Sequence, residues 1–327
     1  MAYSADVVRA ARQKLDSLRA DRDSQNRQRL LDAYASVPRL REIDMLLRQT
    51  MTQAARAAFM KGADAQATME QARQENLALQ TEREQLVASH FTPGWLDETP
   101  LCPHCGGTGY LGSHMCSCLE QLCRQEQLQQ VANLVGSNEQ FANFRLDYYP
   151  DRVDPKFGAS PRLLMEKTFK ICQRFAQGFG PGSGNLLFVG GTGLGKTFLS
   201  ACIARTVAER GYCVAYETAS HLFSKLEQNR FSPSEETRAQ AARLVSCDLL
   251  IIDDLGTELP GQFVTAALYN LLNDRLMAGK SMVISTNLNI DEMARRYSPQ
   301  IASRMQGSFT RLTFVGEDIR VMKGAAK

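Results

Sequence analysis

Residues 184–202 read GNLLFVGGTGLGKTFLSAC, and this stretch decides the fold. Gly190, Gly195, Lys196 and Thr197 fit the phosphate-loop spacing G-x-x-x-x-G-K-[ST]. Nucleotide β- and γ-phosphates carry concentrated negative charge. Glycines let the backbone curl so that several N–H groups face those oxygens, and the helix that follows adds its positive N-terminal end. The spacing therefore assigns Lys196 to the β- and γ-phosphates and the Thr197 hydroxyl to Mg²⁺. Gly190, Gly191, Thr192, Gly193, Leu194 and Gly195, with Phe198 behind them, are the loop residues expected to contact nucleotide. Leu186–Val189 is an apolar run of strand length and Phe198–Ala208 continues as a helix, which gives the strand–loop–helix order the motif needs.

A second segment completes a nucleotide site. Leu249–Asp254 reads LLIIDD: four apolar residues of a buried parallel strand, then two acids at its C-terminal end, where ligands bind in open α/β sheets. Asp253 is expected to hold Mg²⁺ and Asp254 to polarise the attacking water. Residues 282–287, MVISTN, form a further buried strand whose Asn287 is placed to orient that water. In SPQIASRMQG, Arg304 sits on an expected helix, either as a surface cation or as a group reaching the γ-phosphate of a neighbouring subunit.

The chain of 327 residues has room for about two domains. Its net charge of +3 comes from interleaved acids and bases and neither requires nor excludes nucleic acid. No apolar run reaches the roughly 18 residues of a bilayer span, and MAYSADVVRAARQKLDS lacks a signal core. The expectation is a cytoplasmic protein without a membrane partner. Up to His90 the chain is rich in helix formers, and three helices are expected near 4–35, 39–60 and 64–89, broken at Pro38 and at Gly62 with Asp64. The broken periodicity argues for an antiparallel hairpin or bundle, acting either as a packing domain or as a docking module for a partner. From Arg162 onward helices alternate with apolar strands, the signature of a parallel α/β sheet. Helix 161–178 and strands at 185–189, 212–217, 248–253, 281–286 and 311–315 are expected. Phe141–Ser160, with Tyr148 and Tyr149, is expected to pack on that domain as a linker.

Of nine cysteines, five fall between Cys102 and Cys123, which points to metal rather than disulfides. In CPHCGGTGYLGSHMCSC, Cys102 and Cys105 form a C-x-x-C pair, and Cys116 and Cys118 a C-x-C pair. Four thiolates suit tetrahedral Zn²⁺, with His104, His114 and Cys123 as possible substitutes for one ligand and free thiols or a redox pair as the alternative. Four protein ligands leave no open position, so the role expected of the metal is structural.

Together GGTGLGKT, LLIIDDLGTE, ISTNL, SRMQGSF and the late VGEDIR resemble the DnaC/DnaI-type bacterial helicase loaders, which are AAA+ ATPases, and their relative IstB, the transposition ATPase. The resemblance covers roughly residues 141–320. WLDETPLCPHCGGTGYL followed by MCSCLEQ resembles the zinc segment of one branch of the loaders, and IstB relatives lack such a cluster. The resemblance implies an α/β fold: an AAA+ parallel-sheet domain at 141–327, preceded by a helical module at 1–90 and a small zinc-binding segment with a connecting helix at 91–140. It places Lys196, Thr197 and Asp253 on the nucleotide and Mg²⁺ residues, Asp254 on the second Walker B acid, Asn287 on sensor 1 and Arg304 on the arginine finger. Arg320 falls on a further nucleotide-sensing arginine, and only seven residues follow it, which fits the loaders' lack of a full lid. ATP-dependent loading of the replicative DNA helicase onto single-stranded DNA is implied, in a homo-oligomeric ring or spiral. Lys225 and Arg230 of TASHLFSKLEQNRF fall where the family carries its DNA-contacting helices. A transposition regulator binding duplex DNA and a transposase is the alternative.

Overall fold

Helix-forming runs punctuated by Pro38 set up the first part of the computed structural model, which describes residues 3–57, 63–135 and 138–321. Helices α1 (Ala5–Ser36), α2 (Pro38–Ala57) and α3 (Ala63–His90) follow the expected order. The break foreseen at Gly62 lies outside the described residues, and Asp64 falls inside the first turn of α3. The chain divides into two compact units: Arg12–Leu119, and Glu120–Lys327 together with Met1–Ala11.

In the first unit α2 and α3 form the antiparallel hairpin. Arg39 pairs with Glu82 at 2.8 Å, Asp44 with Arg83 at 2.8 Å, and Asn76 donates to the Thr50 hydroxyl at 2.9 Å, so pairing runs forward on one helix and backward on the other. Ala33, Val37 and Leu40 gather Leu86, Val87, Phe91 and Trp95 into a small core. The Phe91 and Trp95 rings stack at 4.7 Å. A two-stranded ribbon, β1 (Tyr110–Leu111) and β2 (His114–Met115), carries the turn between the cysteine pairs. Arg12 lies 5.1 Å above the Tyr110 ring.

Helix α4 (Ser117–Val135) leads into the second unit, followed by two 3-10 turns, Phe141–Asn143 and Leu146–Tyr148. Ser160 caps α5 (Pro161–Gln177) by accepting from the Leu163 N–H. Then come β3 (Leu186–Val189), α6 (Lys196–Glu209), β4 (Val214–Thr218), α7 (Ala219–Phe231), α8 (Glu235–Ser246), β5 (Leu249–Leu255) and α9 (Gln262–Met277). The chain continues through β6 (Ser281–Thr286), α10 (Ile290–Arg296), α11 (Pro299–Ser308) and β7 (Thr310–Thr313). All sheet pairs are parallel, in the order β4-β5-β6-β3-β7. The phosphate-loop strand β3 and the acidic strand β5 are therefore separated by β6, and all three end on one edge. Two apolar layers cover the faces: Phe188, Leu199, Ile203 and Ile251 on one, Leu187, Leu250, Leu268 and Ile284 on the other. The five strands fall where the apolar runs predict them. No helix among the described residues is long and apolar enough to cross a membrane.

Candidate functional site

The loop after β3 is shaped by what its glycines exclude. Gly195 has φ +87° as the N-cap of α6, and a Cβ there would stand 2.9 Å from the Tyr149 hydroxyl. A Cβ on Gly190 would stand 2.5 Å from the Phe314 carbonyl oxygen. The loop is thus closed between two neighbouring segments, with its N-terminal helix dipole facing a cavity of about 370 Å³.

Thr192 through Phe198 line that cavity together with Asp254, Asn287 and Arg320. Lys196 is buried and its ammonium donates to the Gly190 and Gly191 carbonyls at 2.8 and 2.6 Å and to Asn287 Oδ1 at 2.6 Å. Burial lowers its pKa, opposed by Asp254 and Asp253. Asp254 moves the other way: burial and the Asp253 charge raise its pKa, while Lys196 and Arg320 oppose the shift. Asp253 lies beneath, buried, with one oxygen accepting from the Tyr216 hydroxyl at 2.9 Å and the other from the Ser285 hydroxyl. Burial and Asp253 hold the Tyr216 hydroxyl well above its ordinary pKa. The cradle fits a nucleoside triphosphate with its metal: an enclosed glycine loop, a cation, the Asp254 carboxylate and a polar amide line one cavity, with Asp253 buried beneath. Of the two residues expected to hold Mg²⁺, Thr197 lines the cavity, and Asp253 lies outside its lining with both carboxylate oxygens accepting hydroxyl hydrogen bonds.

The linker supplies what the motifs did not show. Phe144 lies 5.9 Å from the Tyr149 ring and 5.8 Å from Phe198, and Tyr149 donates to the Leu194 carbonyl at 3.0 Å. Phe144, Tyr149 and Ile319 line the cavity, an apolar end suited to a base. The cluster of aromatics at Phe141–Tyr149 was the available signal. The segment around VGEDIR lies along the loop: the Phe314 N–H donates to the Val189 carbonyl at 2.8 Å and the Ile319 N–H to the Gly193 carbonyl at 3.1 Å.

Arg304 is not among the residues lining this cavity. It lies half-buried on α11, 4.9 Å above the Tyr269 ring and donating to the Tyr269 hydroxyl at 3.1 Å. Glu258, just past the acids, is another residue that sequence reading passed over. Its buried carboxylate accepts from the Gly256 N–H at 2.9 Å and from the Tyr297 hydroxyl, and pairs with Arg296 at 3.5 Å. Arg296 also donates to the Glu258 carbonyl. This network ties the loop after β5 to the end of α10.

On α7 the two expected DNA contacts diverge. Lys225 is tied to Glu217 at 2.5 Å. Arg230 lies 5.4 Å from the Phe231 ring and 5.5 Å from the Phe263 ring, and Phe231 is 67% exposed. The two rings are 6.2 Å apart.

Among the described residues the cysteine cluster consists of Cys102, Cys105, Cys116 and Cys118, with all four sulfurs within 4.8 Å of one another. His104, His114 and Cys123 are not part of it. Cys102 and Cys116 sulfurs stand 3.8 Å apart, Cys105 and Cys118 sulfurs 3.5 Å. A tetrahedral site with Zn–S near 2.3 Å puts its sulfurs about 3.8 Å apart, so this donor set fits zinc.

Residues 171–311 match the family model of the IstB-like ATP binding protein. Two curated relatives are each named replicative helicase loader DnaC. The one from Buchnera aphidicola subsp. Acyrthosiphon pisum is 24% identical over 196 residues, covering 59% of this chain and 76% of the relative. The one from Buchnera aphidicola subsp. Schizaphis graminum is 23% identical over the same length. Among solved structures, that of the DnaC helicase loader aligns with a TM-score of 0.44 at 19% identity, covering 54% of this chain and 98% of that one. Residues 171–311, which carry the phosphate loop and the paired acids at the end of β5, are thus similar to the IstB-like ATP binding protein family and lie on a five-stranded parallel sheet.

Proposed function

We propose that this protein is an ATP-dependent loader of the replicative DNA helicase onto single-stranded DNA. The observation that carries this reading is the match to relatives named replicative helicase loader over 76% of their length, in a chain that also holds the nucleotide cavity. The four-cysteine cluster in the helical unit supports a loader over an IstB-like transposition regulator.

In this reading the unit built from α1–α3 docks the helicase, and exposed apolar side chains such as Met45, Met51 and Leu77 are available for it. Zinc on Cys102, Cys105, Cys116 and Cys118 holds the adjoining turn in shape. Nucleotide binding draws the Lys196 ammonium from the loop carbonyls onto the phosphates. Mg²⁺ on Thr197 and Asp253 supplies charge neutralisation at the phosphates. Asp254 accepts a proton from water as its oxygen attacks the γ-phosphorus, Asn287 orients that water, and the bond to the bridging oxygen breaks to leave ADP and phosphate. Arg320 senses the same phosphates from its own chain. Arg304, which does not line its own cavity, completes the site of the next subunit, so hydrolysis belongs to a homo-oligomer. The clustered Arg230, Phe231 and Phe263 offer bases apolar ring faces and phosphates a cation.

The test is helicase co-purification. The full-length protein mixed with the replicative helicase of its own cell and ATP should form a complex that Lys196→Ala disrupts. Stable binding to a transposase with no affinity for the helicase would favour the transposition reading.

A further inference from the structure

We propose that Ser285 is a positioning residue for ATP hydrolysis, because it holds open the β-bulge that turns Asp254 into the nucleotide cavity. This inference rests on the ATPase reading above and names the part of the sheet that sets the geometry of its second acid.

Side chains on a strand alternate between faces, so Asp253 and Asp254 as regular neighbours on β5 would point in opposite directions. The pairing with β6 is not regular there. Ile252 is opposite Ile284 and Leu255 opposite Thr286, so two residues of β5, Asp253 and Asp254, face the single residue Ser285. Such a bulge bends its strand and re-aims a side chain. Asp254 takes φ +54°, and it is the one non-glycine with positive φ among the described residues. Left-handed backbone is unfavourable for an L-residue and persists where its surroundings over-determine it.

Ser285 supplies that determination with one hydroxyl. It accepts from the Asp254 N–H at 2.9 Å and donates to the Asp253 carboxylate. The amide that the bulge removes from the ladder is thereby satisfied, and the same oxygen fixes the rotation of the neighbouring acid. Ser285 is fully buried, so no water replaces it. The far side of the bulge is pinned by the Thr286 hydroxyl, which donates to the Leu255 carbonyl at 2.6 Å, and the other Asp253 oxygen by Tyr216. None of these three hydroxyl-bearing residues lines the cavity. Their effect reaches substrate through the two acids.

Steady-state ATP hydrolysis by full-length Ser285→Ala and Ser285→Thr, with single-stranded DNA present, tests this. Misplacing a reacting group by about 1 Å costs up to about 100-fold. We expect Ser285→Ala to lose that much in kcat while KM and the affinity for ADP stay within about twofold, and Ser285→Thr, which keeps the hydroxyl, to recover most of the loss. In the Asp254→Asn background, Ser285→Ala should cost nothing further, since both act on one group. Unchanged kcat in Ser285→Ala would overturn the proposal. So would a parallel loss of ADP affinity that Thr does not rescue, which would make the position a matter of folding alone. A parent protein that binds ATP and never hydrolyses it would instead overturn the ATPase reading on which the proposal stands.

Discussion

Replacing Glu258 by Gln keeps the shape of the side chain and removes its charge. In the native loop one carboxylate oxygen accepts from the Gly256 N–H at 2.9 Å, and the other accepts from the Tyr297 hydroxyl and forms an ion pair with Arg296 Nε at 3.5 Å. The Glu258 side chain is only 4% exposed. Glutamine has one oxygen, so its amide nitrogen must face either the Gly256 N–H, donor against donor, or the Tyr297–Arg296 pair, where the tyrosine hydroxyl must turn acceptor and Arg296 loses its carboxylate. Losing a hydrogen bond to a charged group costs about 1.5–3 kcal/mol. Stripping a fully buried ion of its partner costs about 3–5 kcal/mol. The Arg296 side chain, however, is 25% exposed and keeps the Glu258 carbonyl, so water screens part of that loss. The expected cost is about 2–3 kcal/mol, which lowers Tm by about 5–10 °C in a unit of this size. Scanning calorimetry with and without ATP measures it, because ligand binding marks the transition of the nucleotide-binding unit by raising it. Thr257, three residues past Asp254 in the same loop and on the cavity wall, donates to the Asp254 carbonyl at 2.8 Å, so loosening the loop should also slow hydrolysis. A Tm within about 1 °C of the parent would refute the account of Glu258 as the anchor of this loop.

Arg304→Ala should leave ATP affinity intact and reduce hydrolysis by about a thousandfold; equal hydrolysis by the variant would remove Arg304 from the trans site. Phe231→Ala and Phe263→Ala should each weaken single-stranded DNA binding by about 1–3 kcal/mol, read by fluorescence anisotropy, with nucleotide affinity unchanged. Elemental analysis should find one zinc per chain, and Cys116→Ser should lose it and expose the segment around β1 and β2 to protease while ATP binding persists.

Much of the ATP-binding domain was legible in the sequence because its signals are local. Runs such as LLFV and LLIIDD read as buried strands, and GGTGLGKT fixes the turn between β3 and α6. Asp254 and Asn287 meet Lys196 because parallel strands end on one edge, which the motif order already implies. The bulge at Asp253–Asp254 was not legible, since it depends on the register against Ser285 some thirty residues later. A separation of 39 residues likewise hid the Glu258–Tyr297 bond. Lys225 looked as free as Arg230, because its pairing with Glu217 crosses from a strand end to a helix. The aromatic partner of Arg230 on α9, Phe263, lies in a stretch with no motif at all. In the cysteine segment, spacing gave the ligand types, and only the fold shows the four sulfurs converging without His104 or His114.

The central claim is that ATP held by Lys196 lets this chain place a helicase on DNA. Its most direct measurement is the amount of replicative helicase retained on circular single-stranded DNA after incubation with this protein and ATP. The account predicts retention well above that of helicase alone, lost with Lys196→Ala or without nucleotide. Retention that is the same with and without the protein, under conditions where it binds ATP, would contradict it.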